Sequence, residues 1–93
     1  MIYIVSYDSP NDRRRTRLAK LLEDYGVRVQ YSVFEFDMPP RAFDRLRLEI
    51  LNLIDLEEDN IRIYRICADC AQYIERHGVH GVFEGHDDSW FVL

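Results

Sequence analysis

The chain has almost no lysine, only two cysteines, few glycines and prolines, and no long apolar run. Each shortage excludes something. Two cysteines, Cys67 and Cys70, make a lone CxxC, too few for a disulfide framework. Four glycines and three prolines in 93 residues leave no linker or low-complexity tract, so one domain is expected. No stretch approaches the roughly 20 apolar residues that cross a bilayer. The opening MIYIVSYD has no basic n-region of a secretory signal, which predicts a cytoplasmic protein without a membrane partner. Glycine-rich phosphate loops, HExxH and a Ser-His-Asp spacing are missing as well.

The composition that remains is globular, 47% hydrophobic and 13% aromatic, with net charge −5. So short a chain buries a limited share of its surface, which makes association a natural remedy. The run IYIVSY (2–7) has the β-branched and aromatic character of a central strand. Helix-start signals follow: Ser9 as a cap, Pro10 in the first helical position, and Asp12 three residues after Ser9. Leu18, Leu21, Leu22 and Tyr25 recur at the spacing of one helical face, and Gly26 supplies a stop. In VRVQYSVFEFD (27–37) the apolar parity changes midway, which a bulge, a bend, or two short strands reversing near residues 30–32 would each produce. Pro39 and Pro40 open a second helix with Phe43, Leu46, Ile50, Leu53 and Ile54 on one stripe. IRIYRI (61–66) is another strand, residues 67–78 a short helix or irregular turn, and SWFVL an apolar terminal strand.

This order predicts an α/β (α+β) sandwich of ferredoxin-like βαββαβ type with an extra C-terminal strand. The domain would occupy residues 1–80, and the tail, 81–93, would dock at a dimer interface. Both helices would cover one sheet face. The other face would meet a second copy, because Val29, Phe34, Phe36 and Tyr64 are together too apolar to leave wet.

The chemistry concentrates where the first strand meets the first helix. Arg13, Arg14, Arg15 and Arg17 sit in the first two helical turns, the wrong end for cations, since the exposed N–H groups there already carry partial positive charge. An anion should offset them, and nearby in sequence there is only Asp8 and Asp12. Exposed N–H groups together with planar guanidinium forks suit phosphodiesters. A local patch acts at close range despite the acidic total, because salt screens charges beyond about 8 Å. At about 100° per residue, Arg13, Arg17 and Lys20 lie opposite the leucine stripe, while Arg14 and Arg15 flank it and lean toward Asp8. Asp8 ends a strand, a usual place for a site in α/β proteins. One carboxylate alone is a poor Mg²⁺ site, but a twofold dimer would supply a second. A solvated helix and a turn aspartate are the plain alternatives.

Cys67, Cys70, His77 and His80 read as C-x2-C-x6-H-x2-H, a superficial zinc set with too short a gap for a finger. Buried cysteines on a short helix are the preferred reading. His86, beside Asp87 and Asp88, reads as loop.

The stretch YDSPNDRRRTRLAKLLEDYGVRVQYSVFEF, followed by IRIYRIC, resembles the CRISPR-associated Cas-two family, the small partner of the spacer integrase, over about residues 1–76. The resemblance implies a dimeric ferredoxin-like fold with a C-terminal strand packing across the dimer. It also implies a role in spacer acquisition, in which the dimer bridges integrase dimers and holds a short DNA duplex by its backbone. Some family members are described as metal-dependent endonucleases on RNA or DNA. Their aspartate matches Asp8, with Mg²⁺ or another divalent cation at the dimer interface, and their basic residues match Arg13 to Arg17 and Arg28. Three functions therefore stand: a DNA-holding scaffold, a Mg²⁺-dependent endonuclease, and a ferredoxin-fold dimer binding a small anionic effector.

Overall fold

The structure, a computed structural model, describes residues 1–78. The chain runs β1 (Ile2–Asp8), α1 (Asp12–Glu23), β2 (Val27–Gln30), β3 (Val33–Asp37), α2 (Pro40–Leu53), β4 (Asn60–Ile66) and a single helical turn, α3 (Ala68–Ala71). The four strands form one sheet in the order β2-β3-β1-β4, and every neighbouring pair is antiparallel. This is the expected ferredoxin-like βαββαβ arrangement. The extra strand expected over 81–93, its docking at a dimer interface, and His80 and His86 lie outside the described residues.

Alternation along the strands sets the layers. Tyr3, Val5 and Tyr7 of β1 and Phe34 and Phe36 of β3 are buried, and they pack with Leu18 and Leu22 of α1 and Phe43, Leu46 and Ile50 of α2. Tyr3 and Phe43 stack with ring centroids 3.9 Å apart, and Phe36 meets Phe43 edge-on at 6.0 Å. Phe34 and Phe36 thus belong to the core under the helices, not to the open face assigned to them from sequence. That face is formed by Ile2, Ile4 and Ser6 of β1 with their partners on β3 and β4, and it carries the half-exposed Tyr64 and Val27.

The parity change in 27–37 resolves into two of its options at once. β2 and β3 form a hairpin reversing through Tyr31 and Ser32, and a register shift lies between Arg28 and Gln30. The regular pairing with Tyr3 and Val5 of β1 puts Phe36 and Phe34 under the helices, and the extra residue in β2 brings Arg28 rather than Val29 opposite Phe34.

The start of α1 differs from expectation. Asn11 is the cap, its Oδ1 accepting from Arg14 N at 2.8 Å, so neither Ser9 nor Pro10 holds a helical position. Ser9 instead ties the corner to a distant turn, its buried hydroxyl donating to Asp59 Oδ1 at 2.6 Å. At the other end, Gly26 N donates to Leu22 O at 2.9 Å. A Cβ on Gly26 would lie 2.5 Å from the Phe36 ring and 2.6 Å from Glu35 O, so glycine is required there by the close passage of β3.

Candidate nucleic-acid interface

The antiparallel β1–β4 pair delivers Asp8 opposite Asn60, at the end of the sheet from which the chain turns into α1. Asp8 is exposed, and its carboxylate has no hydrogen-bond or ion-pair partner among the described residues. Around it the corner is heavily cross-linked.

Two of the four arginines are committed inward. Arg14 donates from Nε to Asp59 Oδ2 at 2.8 Å and from Nη2 to Asp59 Oδ1 at 3.1 Å and Glu58 Oε1 at 2.7 Å. The Asp59 side chain is 1% exposed and also accepts from Ser9 Oγ and from Asp55 N. Arg14, Asp55 N and Ser9 hold its carboxyl at about 2, well below the usual 3.8, against the opposing effect of burial. The hydrogen bonds to Asp59 and Glu58 push the Arg14 guanidinium further into its charged form. Arg15 donates to Ser9 O at 2.7 Å and pairs with Asp12 one helical turn back. So Arg14 and Arg15 do flank the leucine stripe, but they reach the corner's own carboxylates and carbonyl, not Asp8.

Arg13 and Arg17 are the other two. Both are exposed, and neither side chain has a partner among the described residues. They lie four residues apart, which places them one above the other on the outer face of α1. Lys20, exposed one turn further on, continues the same face.

Arg28 sits apart from this row. Its guanidinium lies 5.2 Å from the Phe34 ring centre and 5.8 Å from that of Tyr31, and 3.4 Å from the Glu23 carboxylate. The side chain is 18% exposed, and its Nε is buried without a hydrogen-bond partner among the described residues. Burial raises the Tyr7 phenol above its ordinary pKa, while the adjacent Arg28 pulls it down. Arg28 thus offers only an edge to a ligand and otherwise fastens β2 to the end of α1.

The anion that the neighbouring sequence does not supply is the acidic turn after α2. Neither Glu58 nor Asp59 carries a local signal of this role, because Arg14 lies 44 and 45 positions away. No group of three or more His, Cys, Asp or Glu able to hold a metal occurs among the described residues. Cys67 and Cys70 are exposed, not buried, which corrects the expectation for them. Their turn is too short to reach the core.

The comparisons with known proteins decide the family. The family model of CRISPR associated protein Cas2 matches residues 1–74. The chain belongs to the Cas2 family. It is 51% identical over 76 residues to the CRISPR-associated endoribonuclease Cas2 1 of Chloroflexus aurantiacus, covering 81% of this chain and 82% of that protein. Its fold is similar to Streptococcus pyogenes Cas2 at pH 6.5, with a TM-score of 0.70 and 34% identity over 84% of this chain and all of the other. It is also similar to a chain of a partial Cas6-RT-Cas1–Cas2 complex, with a TM-score of 0.69 and 35% identity over 81% of this chain and 82% of that one. Among Cas2 relatives, then, both a nuclease name and an assembly with Cas1 are represented.

Proposed function

We propose that this chain serves CRISPR adaptation as a homodimer that joins the spacer integrase and holds a short nucleic-acid duplex by its phosphates. One observation carries the reading. Of four arginines at an unfavourable helix end, the fold neutralises Arg14 and Arg15 internally and leaves Arg13 and Arg17 exposed and unpaired among the described residues. Two adjacent guanidinium groups beside the helix start need an external anion, and a polyphosphate backbone fits a row better than a single small effector does. Contacts of this kind read charge and shape, so little base preference follows. A second copy over the open face would cover the exposed Val27 and Tyr64 and double the row of cations. Spacer acquisition in cells tests the role: Arg13→Ala/Arg17→Ala should abolish it while leaving the protein folded and bound to the integrase. Acquisition at the normal level in that variant would contradict the reading.

A second reading, metal-dependent phosphodiester hydrolysis, is favoured by the exposed Asp8, unpartnered among the described residues in a corner where Asp12, Glu58 and Asp59 are each paired with arginine. One chain supplies one carboxylate. Asp8 from each of two copies would suit Mg²⁺, which takes one or two carboxylates and completes its shell with waters and substrate phosphate. Bound there, the metal would supply a polarised phosphate and an activated water. The chain's own contribution would be to hold the strand still with Arg13 and Arg17 and to fix Asp8 through the rigid β1–β4 register. We take scaffold binding as the main function and cleavage as an activity of the same corner.

A further inference from the structure

The CxxC after β4 carries an inference independent of the arginine corner. Cys67 is the residue immediately before α3, and Cys70 is the third residue within it. The turn is closed by Ala71 N donating to Cys67 O at 2.8 Å, and Cys67 Sγ accepts from Cys70 N at 3.4 Å. This folds the two side chains onto the same side of one turn, and both are exposed to reagents. With only two sulfur donors and no third ligand grouped with them among the described residues, the pair does not make a metal cage.

We propose that Cys67 and Cys70 form a thiol–disulfide exchange site, with Cys67 as the attacking thiolate and Cys70 as the resolving thiol. The hydrogen-bonding asymmetry sets the roles. Cys70 N–H donates to Cys67 Sγ and, with the nearby Cys70 thiol and Asp69 N–H, pulls the Cys67 pKa below the ordinary thiol value. Cys70, facing that negative sulfur, is pushed up. The co-reactant is a small disulfide such as glutathione disulfide. The Cys67 thiolate attacks one of its sulfurs, that S–S bond breaks, one glutathione thiolate leaves, and a mixed disulfide forms on Cys67. Cys70 then loses its proton to solvent and attacks Cys67 Sγ, expelling the second glutathione thiolate. Two protein thiols have given up two electrons and two protons, and one external disulfide has become two thiols.

The site stands at a junction. Ala68 and Ala71 of the same turn line a cavity of about 540 Å³ together with Met1, Ile2, Asp37 and Ile66. Five residues beyond α3, Arg76 pairs with Glu35 of β3. Oxidation therefore fixes the turn through which the chain leaves β4 for β3.

Intact-mass analysis and alkylation of the folded protein, after incubation with glutathione across reduced-to-oxidised ratios, test this. The wild type should lose two hydrogens under oxidising ratios without retaining glutathione, and Cys70→Ser should accumulate glutathione on residue 67. Cys67→Ser should remain unmodified over the same time. In the reduced protein at neutral pH, Cys67 should alkylate about tenfold faster than Cys70 or more. Because both side chains are exposed, serine variants keep the fold, which circular dichroism verifies. A wild type that stays a dithiol at every ratio, a disulfide formed only between chains, or equal alkylation of the two cysteines would each overturn the proposal.

Discussion

Arg14 Nε lies 2.8 Å from Asp59 Oδ2 across 45 positions of chain, and this contact binds the β1–α1 corner to the turn before β4. The pair separates two roles that the sequence runs together as RRRTR. Arg14 builds the corner, and Arg13 and Arg17 face outward from it.

Arg14→Ala should lower thermal stability more than Arg13→Ala does, because it leaves the nearly buried Asp59 carboxylate without its strongest partner. Arg14→Lys should fall between wild type and alanine, since an ammonium cannot reproduce the two contacts that Nε and Nη2 make with Asp59. Melting curves rank the three. An Arg14→Ala protein as stable as wild type would show the ion pair to be incidental.

The same pair fixes an acid limb of stability. The folded Asp59 titrates at about 2, below its ordinary 3.8, so it stabilises the fold above the ordinary value and loses that contribution as pH falls from 3.8 toward 2. The gap in urea midpoint between wild type and Asp59→Asn should be widest at neutral pH and close across this window. A gap unchanged down to pH 2 would contradict the assignment.

Gly26→Ala should destabilise the protein without touching any charged group. The new methyl would meet the buried Phe36 ring at 2.5 Å and backbone oxygen at 2.6 Å. Such overpacking costs about 1–3 kcal/mol, and each kcal/mol lowers the melting temperature of a domain this size by roughly 4–8 °C. Chemical denaturation measures the difference. A neutral substitution would mean that β3 moves aside freely.

Asp8→Ala distinguishes the scaffold from the nuclease. Its carboxylate makes no internal contact among the described residues, so stability and duplex binding should stay near wild type. Metal-stimulated cleavage should disappear. Spacer acquisition should continue. Loss of acquisition with binding intact would make cleavage the physiological function.

Periodicity made most of the fold legible. Leu18 and Leu22 and the Phe43, Leu46 and Ile50 stripe mark the two buried helix faces, and the β-branched runs mark β1 and β4. What stayed hidden depends on contacts between distant segments. Phe34 and Phe36 looked available for the open face because their side is fixed by pairing with Val5 and Tyr3 of β1, a contact between segments about 30 positions apart. Ser9 resembled a cap because its hydroxyl suits one, yet Asp59, 50 positions later, takes it. The helical wheel separated Arg13 and Arg17 from Arg14 and Arg15 correctly, but it carries no information about Glu58 and Asp59. The cysteines read as buried because an unpaired thiol usually is, whereas their turn lies beyond the last core strand.

The salt dependence of duplex binding measures directly whether Arg13 and Arg17 grip phosphates. Each phosphate contact contributes about 0.9 to the slope of log affinity against log salt, so removing two arginines per chain should reduce the slope by about 2, or about 4 in a dimer. Arg41→Ala/Arg45→Ala, which removes two exposed charges from α2, serves as the charge-matched control. Arg13→Ala/Arg17→Ala should show a large loss of slope and affinity, and the control a smaller one. Equal slopes in wild type and the Arg13→Ala/Arg17→Ala protein would contradict a phosphate grip by these two residues.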